Sequence, residues 1–191
     1  MVNYSNIFSE YDMPKCGFKF GESAAKVIDT VGSCEVESEV KTVTKNRRNM
    51  PWKSRSKETG SGTIKMSLHM PYDLYCDCFG ANPKTKYKDN VSVWGTMSMH
   101  GVFILTQLVE DEDANQKLVA YPSCVMTKGY SKKVETNGEN VAEIEMEVSY
   151  NPDDNGVGMY EMILNPESDN TTLIDTWLSS FSTELVLLAT E

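Results

Sequence analysis

The chain has 191 residues, 40% of them hydrophobic, and carries a formal charge of −10. A chain of this length is expected to form one domain, and its acidic balance argues against holding nucleic acid over the whole surface by counterion release. No apolar run approaches the length of a membrane span, and no apolar signal segment follows the first residues. We therefore expect a protein that is made in the cytoplasm and does not insert into a membrane.

The five cysteines are an odd number at irregular spacing, which predicts buried free thiols rather than a disulfide framework. Cys76 and Cys78 make a poor metal site, because they diverge on a helix and the two histidines, His69 and His100, lie elsewhere. No metal or other cofactor is therefore expected. The full set is Cys16, Cys34, Cys76, Cys78 and Cys124.

The first part of the chain predicts an arm followed by strands. Residues 1–14 hold apolar side chains without a clean period and are interpreted as an N-terminal arm. Lys15 to Phe20 predicts a short strand, and the run AAKVI within Gly21 to Gly32 predicts a turn of helix. From Cys34 to Thr42 every second residue is small or apolar, the pattern of a strand with one buried and one wet face. The wet positions are Glu35, Glu37, Glu39 and Lys41.

Residues 45–57, KNRRNMPWKSRSK, carry +6 with no acid among them, which leaves 12 basic against 28 acidic residues, or −16, on the rest of the chain. The segment shows neither a strand nor a helix period. We interpret it as the long, mobile tip of a hairpin whose second strand resumes at Thr63 to His69. Its cations and its aromatic side chain are Lys45, Arg47, Arg48, Trp52, Lys53, Arg55 and Lys57.

Two helices and several strands are predicted beyond this segment. Pro71 to Phe79 predicts a helix with proline at its first position and Gly80 as C-terminal cap. Thr171 to Phe181 predicts a second helix with Asn170 as N-cap. Strand-like runs are Val91–Met97, Val102–Val109 and Leu118–Met126, the last with an edge position or a bulge at Pro122.

The clearest strand signal is VAEIEMEVSY, residues 141–150. Its even-numbered residues are apolar, and the odd-numbered ones after Val141 are Glu143, Glu145, Glu147 and Ser149. This alternation predicts a second strand with a row of carboxylates on its solvent face. Turn-forming residues at 151–156 end it.

The sequence offers no catalytic constellation, since it has two separate histidines, no nucleophile elbow and no phosphate-binding loop. We therefore expect a protein that is not an enzyme. Carboxylates along a strand spread over roughly 13 Å, too far to surround one calcium ion. Asp153-Asp154-Asn155-Gly156 is a better calcium candidate, but these residues are typical of a turn, which is the interpretation we adopt.

Three roles fit the basic segment. It could contact nucleic acid, with Trp52 stacking on a base, or it could be a plain solvated loop. It could also contact an acidic surface on another copy of the same protein. The −16 on the rest of the chain favours this third role.

Several blocks, in one order along residues 34–162, resemble the major tail tube proteins of long-tailed phages of the non-contractile type. The arms are similar more loosely, and the basic segment departs most from the family pattern. The blocks are KTVTK at 41–45, KMSLHMPYDLY at 65–75, AYPSC at 120–124, SKK at 131–133, NVAEIE at 140–145 and PDDNGVGMYE at 152–161.

The resemblance implies a mainly β, two-sheet sandwich or barrel with a flanking helix. It divides the chain into an N-terminal arm at 1–14, a tail-tube β domain at 15–164 with an inter-ring loop at 45–60, and a C-terminal helix and arm at 165–191. Six such subunits close into a ring, and rings stack into a tube in the virion tail. The implied partners are further copies of the chain, a tape-measure protein, a tail terminator and distal tail proteins, while double-stranded DNA passes without specific binding.

Under this interpretation the glutamates of one or the other acidic strand line the bore and repel DNA from its wall. Alternation does not tell which of the two rows faces inward. The cations and Trp52 of the basic segment are expected to contact the next ring. The competing interpretation is a monomeric β-sandwich that decorates a virion or serves in adhesion. The predicted bore residues are Glu35, Glu37, Glu39, Glu143, Glu145 and Glu147.

Overall fold

A computed structural model describes residues 8–48, 50–81, 87–88, 91–132, 134 and 143–187. Eight antiparallel strands and two helices account for most of this part of the chain. The helices are α1 (Tyr72–Cys78) and α2 (Thr171–Ser180), with a short 3-10 turn at Thr183–Leu185. The strands are β1 (Asp12–Phe20), β2 (Lys26–Ile28), β3 (Val31–Arg47), β4 (Met50–Leu68), β5 (Phe103–Glu110), β6 (Gln116–Met126), β7 (Ile144–Asn151) and β8 (Tyr160–Ile163).

The strands form one eight-stranded sheet in the order β2-β1-β5-β6-β7-β4-β3, with β8 paired to β6 beside this path. β2 and β3 stand at opposite ends of the order, yet only Asp29 and Thr30 separate them in the chain. The sheet therefore has to curl until its ends approach each other, which wraps one face around a shared interior. The predicted mainly β fold with a flanking helix is confirmed, but its strands form one curled sheet instead of the two sheets that the resemblance implied.

Alternate residues of the strands fill this interior, as the sequence patterns predicted. From Gly62 to Leu68 of β4 and from Met146 to Tyr150 of β7 the even-numbered residues are buried and the odd-numbered ones are wetter. α1 adds Leu74, Tyr75 and Cys78 to the same core, and Gly80 follows it with a φ of +63°, which confirms the predicted cap. The buried residues of β4 and β7 are Ile64, Met66, Leu68, Met146, Val148 and Tyr150.

A bulge in β6 changes which of its residues face the core. Phe103 of β5 pairs with Cys124 and Leu105 pairs with Tyr121, so Pro122 and Ser123 place one extra residue in β6. As a result Tyr121 before the bulge and Cys124 after it both face the main core, although their numbers differ in parity. The bulge predicted at Pro122 is confirmed.

α2 covers the outer face of β5 and β6 and makes a second, smaller core. Trp177 is fully buried there against Leu108 and Leu118, and its Nε1–H donates to the carbonyl of Val119 at 3.0 Å. The helix begins after Asn170 as predicted, but the Asn170 side chain donates to the Asn165 carbonyl and does not cap the helix. The neighbouring carboxylate of Asp169 accepts from the Thr171 N–H instead, at 3.0 Å.

Three further predictions are wrong. Gly21 to Gly32 forms no helical turn, because Lys26–Ile28 pairs with β1 as β2. Val91–Met97 forms no strand, since it pairs with no other described strand, although its Trp94 packs against Tyr75 of α1. The basic segment 45–57 is not an irregular loop, because β3 and β4 remain paired out to Arg47 and Met50.

Some predictions concern residues outside the described ranges, among them Val141 and Ala142 at the start of the predicted acidic strand. From Ile144 to Tyr150 that strand is confirmed. Neither described helix is long and apolar enough to cross a membrane.

Candidate assembly surfaces

The two acidic rows predicted from the sequence lie on one face of one sheet. β7 pairs with β4 and β4 pairs with β3, so Glu147, Lys65 and Glu35 stand side by side across the three strands. Residues directly opposite each other on paired strands point to the same face. We call this outer face of β3, β4 and β7 the acidic face, and its carboxylates on the strands include Glu35, Glu37, Glu145 and Glu147.

Two lysines partly neutralise the acidic face. The Lys65 ammonium lies 3.4 Å from a Glu35 carboxylate oxygen and 3.9 Å from one of Glu37. The Lys128 ammonium lies 2.7 Å from the Glu147 carboxylate, and this hydrogen bond lowers the pKa of Glu147 and raises the pKa of Lys128. Glu147 is therefore ionised at neutral pH. The carboxylates of the face outnumber these two lysines, so the face keeps an excess of negative charge.

Glu39 and Glu143 extend the acidic face at its two ends. Glu39 follows Glu37 on the same parity of β3, beside a bulge where the Thr59 hydroxyl donates to the Glu39 carbonyl. Glu143 precedes β7, and a Cβ atom at Gly32 would lie 2.5 Å from its carboxylate oxygens. Its side chain thus reaches the beginning of β3, so the structure brings all six predicted glutamates to one side of the sheet.

The basic segment forms the outer half of a two-stranded ribbon that projects from the sheet. β4 pairs with β7 only from Gly62 to Leu68, whereas it pairs with β3 along nearly its whole length. Every described residue from Glu35 to Thr59 is exposed to solvent. The eight residues from Val40 to Arg47 give this projection a reach of roughly 25 Å. We call residues 40–58 the basic ribbon.

The cations of the basic ribbon share one of its two faces. Lys41 pairs with Lys57 and Lys45 pairs with Lys53, so like charges stand directly opposite each other. Such pairs are destabilising in an isolated ribbon, and no acid lies on this face between them. Arg47 and Arg55 occupy further positions on this face.

Hydroxyl pairs occupy the other face of the basic ribbon. Thr42 and Ser56 approach to 2.9 Å, and Thr44 and Ser54 do the same one pair further out. Glu58, opposite Val40 at the root, is the one charged residue paired on this side. Beyond it the ribbon has a neutral side and a basic side, which a disordered loop would not have.

At the tip of the basic ribbon, Arg48 takes a left-handed conformation with a φ of +51°. The Arg47 guanidinium lies 6.0 Å from the centre of the Trp52 ring, within the range of a cation–π contact. Trp52 is 65% exposed and Met50 is 71% exposed. The tip thus presents cations together with large apolar side chains.

One continuous face of β3 changes sign along its length. Glu35, Glu37 and Glu39 occupy odd positions where the strand belongs to the sheet. Where it belongs to the ribbon, Lys41, Lys45 and Arg47 occupy three of the four odd positions, and Val43 the fourth. Sequence reasoning found both charge groups but treated the basic one as a loop. It therefore missed that they share a face.

The other sequence candidates have structural roles in the described chain. The Asp153 carboxylate accepts from the Asn155 and Val157 N–H groups and from the Tyr160 hydroxyl, at 2.7 to 3.0 Å. Burial acts to raise the pKa of Asp153, but these hydrogen bonds outweigh it and lower the pKa. The predicted turn is confirmed. Among the described residues no three His, Cys, Asp or Glu side chains come together in a metal-binding group.

The five cysteines are free thiols. Cys16, Cys78 and Cys124 are buried, and Cys34 and Cys76 are half-buried, close to the prediction. Burial raises the pKa of Cys78 and of Cys124 to about 12, so both remain protonated at neutral pH.

An aromatic pocket of about 560 Å³, between α1 and the start of β7, was not predicted. Tyr72, Tyr75, Trp94 and Tyr130 line it, and Glu143 and Glu145 lie in its wall. Tyr75 packs into the main core, but Tyr72 is 63% exposed, and only the fold brings Trp94 and Tyr130 beside Tyr75.

No protein-family model matches this chain, and no curated protein is similar enough in sequence to count as a relative. Among solved structures, the chain is similar to the tube terminating cap of the anti-feeding prophage, determined by cryo-electron microscopy. The alignment covers 86% of this chain and 100% of that one, with 9% identity and a TM-score of 0.47. This likeness is too loose to identify a function.

Proposed function

We propose that this chain is the structural subunit of a phage tail tube of the non-contractile type, a virion protein without enzymatic activity. Its copies close into hexameric rings, and the rings stack around an acidic bore that conducts DNA. The observation that carries the proposal is the change of sign along one face of β3, from the acidic face to the basic ribbon. The ordered sequence blocks that resemble tail tube proteins support it independently.

The basic ribbon is built to meet a partner. None of its described residues belongs to either hydrophobic core. Its directly paired lysines repel each other, which disfavours folding of the isolated ribbon. A second copy of the chain offers the compensating negative charge, because the rest of each copy carries −16. A contact between different surfaces of identical subunits repeats from copy to copy, which produces rings or stacks.

The outer edge of β3 supports lateral assembly. β3 is the last strand of the sheet, so within the described chain its outer edge has no partner strand. Val36 and Val40 are exposed beside that edge. A long unpaired edge with apolar side chains favours pairing with another chain, and closure of a ring by shared sheets removes it.

The acidic face suits the wall of a DNA channel. Duplex DNA carries one charge per roughly 1.7 Å, and a screening length near 8 Å confines the repulsion to the vicinity of the wall. DNA therefore slides without binding. Because the glutamates of β3 and β7 share one face, both acidic rows can line the bore together.

Assembly is the first test. The purified chain should form rings or open tubes in negative-stain micrographs, and high salt should weaken stacking because the ribbon contact is electrostatic. The variant Lys45→Glu, Lys53→Glu, Arg55→Glu should not form tubes. The control Lys15→Glu, Lys19→Glu, Lys88→Glu changes the total charge equally outside the ribbon and should form them. A chain that stays monomeric at every concentration would refute the proposal and favour a decoration or adhesion domain.

DNA conduction is the second test. Phage particles carrying Glu35→Lys and Glu37→Lys should have tubes of normal appearance but release DNA more slowly, because the reversed charges bind phosphates. Glu112→Lys with Asp113→Lys, in the turn between β5 and β6, is the matched control. Normal release from the first variant would refute the assignment of the acidic face to the bore.

A further inference from the structure

We infer that the aromatic pocket is a socket for the tip of the basic ribbon of a second copy of this chain, with the Arg48 guanidinium held among the aromatic rings. The inference rests on the head-to-tail assembly proposed above and specifies the site at which it is made.

The ring geometry of the pocket suits an organic cation. The Trp94 and Tyr130 rings are 5.0 Å apart, and Tyr75 meets both edge-on at 6.1 and 5.7 Å. Tyr72 stacks on Tyr75 from the exposed side at 6.2 Å. Several aromatic faces around one cavity attract a guanidinium or ammonium group through their quadrupoles. Burial raises the pKa of Tyr75 to about 12, so its ring stays neutral.

The polar groups of the pocket also favour a cationic main-chain tip. Glu143 and Glu145 line the pocket and outnumber the one cation there, Lys132. The buried Nε1–H of Trp94 has no hydrogen-bond partner in the described chain. A ribbon tip supplies both a guanidinium for the rings and main-chain carbonyls that can accept a hydrogen bond from an indole.

Socket and tip lie at opposite ends of the same strand. β4 begins at Met50 beside the tip and ends at Leu68, two residues before Met70 of the pocket wall. A copy cannot easily fill its own socket, whereas a copy placed behind it in the same orientation can. This is a heterologous contact, which propagates along a stack.

The acidic face is the alternative binding site for the tip. Its Glu35, Glu37 and Glu147 carboxylates already contact Lys65 or Lys128, and it presents no aromatic ring among its paired strand residues. The pocket matches both the charge and the apolar character of Arg48, Met50 and Trp52. We therefore assign the tip to the pocket, together with Glu143 and Glu145 at that end of the acidic face, and leave the rest of the acidic face to the bore.

Truncation of exposed side chains tests the contact without unfolding the protein. Tyr130 is 48% exposed, so Tyr72→Ala with Tyr130→Ala should leave the monomer folded. Loss of these rings should raise the protein concentration needed for stacking about tenfold, and Arg48→Ala should do the same. Arg48→Ala added to the tyrosine variant should cause little further change, because both remove one contact. Tyr11→Ala, another exposed tyrosine, is the control. Additive effects, or no effect of the tyrosine variant, would overturn the inference.

Cross-linking locates the tip directly. Met50→Cys with Lys132→Cys keeps Arg48 and every ring, and mild oxidation of assembled particles should link neighbouring copies through these positions. Met50→Cys with Glu37→Cys should give no such link. A link to position 37 instead of 132 would overturn the socket while leaving the tube proposal intact. If no variant, nor the native chain, forms rings or tubes, the tube proposal and the socket both fail.

Discussion

The two halves of β4 show how differently one strand can be held. From Gly62 to Leu68 it lies between β3 and β7, and every second side chain is buried in the main core. From Met50 to Lys57 it has β3 as its partner and no core, and its alternation is between cations and hydroxyls. The first half can be recognised as a strand from the hydrophobic alternation of its sequence. The second half has no core of its own. It stays paired because it continues the register of the first half, and its stability depends further on any surface that packs against it.

Under the proposed function, we expect the sheet half to supply stability and the ribbon half to supply association. Four substitutions test this division, in order of decreasing effect.

The largest contrast is between two tryptophans. Trp177→Ala should lower the free energy of unfolding by about 3 to 5 kcal/mol, because it empties the second core and removes the hydrogen bond to Val119. Trp52→Ala in the ribbon should change the stability of the monomer by less than about 0.5 kcal/mol. Urea unfolding of both monomers measures the difference. Equal losses would show that the ribbon is part of the cooperative core.

The root of the ribbon should be the next most sensitive place. A Cβ atom at Gly158 would overlap the carbonyl of Gly60, which has a φ of +79° where β4 leaves the sheet. Gly158→Ala should therefore cost about 1 to 3 kcal/mol by displacing backbone. Gly95→Ala, where a Cβ meets no atom within 4 Å, is the control and should be nearly neutral. The proposed role of this contact is wrong if thermal unfolding shows the two variants to be alike.

Lys117 provides a pH-dependent test within the sheet half. Its ammonium contacts Glu10 and lies 3.0 Å from Glu161, which fastens residues 8–11 to β6. Burial acts to lower the pKa of Lys117, but the hydrogen bonds to both glutamates outweigh it and raise the pKa. Its contribution is therefore complete below the pKa of an unfolded lysine and is lost as the pH rises through the folded value.

Lys117→Met should cost about 1 kcal/mol at neutral pH, a figure discounted for the exposure of both glutamates. The variant should also lose less stability than the native chain between neutral and strongly alkaline pH. Urea unfolding at both values checks this. An identical alkaline loss in the two proteins would contradict the assignment.

The smallest effect should have opposite signs in the monomer and the assembly. Lys53→Glu places an acid directly opposite Lys45 and should stabilise the isolated ribbon by a few tenths of a kcal/mol. The same change should weaken tube formation, because it removes a cation from the basic face. Hydrogen exchange of the monomer and sedimentation of the polymer measure the two effects. If the variant changes the stability of the monomer and the formation of tubes in the same direction, the basic face does not serve to bind a partner.

Hydrophobic period and turn chemistry were sufficient for the elements that lie on the core. The alternation of Ile64, Met66 and Leu68, the bulge at Pro122 and the turn at Asp153 were all predicted because each depends on local residues. The strand predicted at Val91–Met97 was wrong for the same reason, because an apolar run does not indicate whether a partner strand is available. The Asn170 side chain donates a hydrogen bond to the Asn165 carbonyl instead of capping its helix. A capping rule does not include this competing hydrogen bond.

By itself the sequence determined that the protein would be mainly β, with two strands that each carry a wet row of glutamates and with a strongly basic segment between strands. These properties depend on periods of two and on net charge, which are local. Only the tertiary structure decided that both rows share one face, that the basic segment is a two-sided ribbon and that four aromatic residues surround a pocket. Strand order and register join residues far apart in the chain, and no local pattern states which strands will be neighbours.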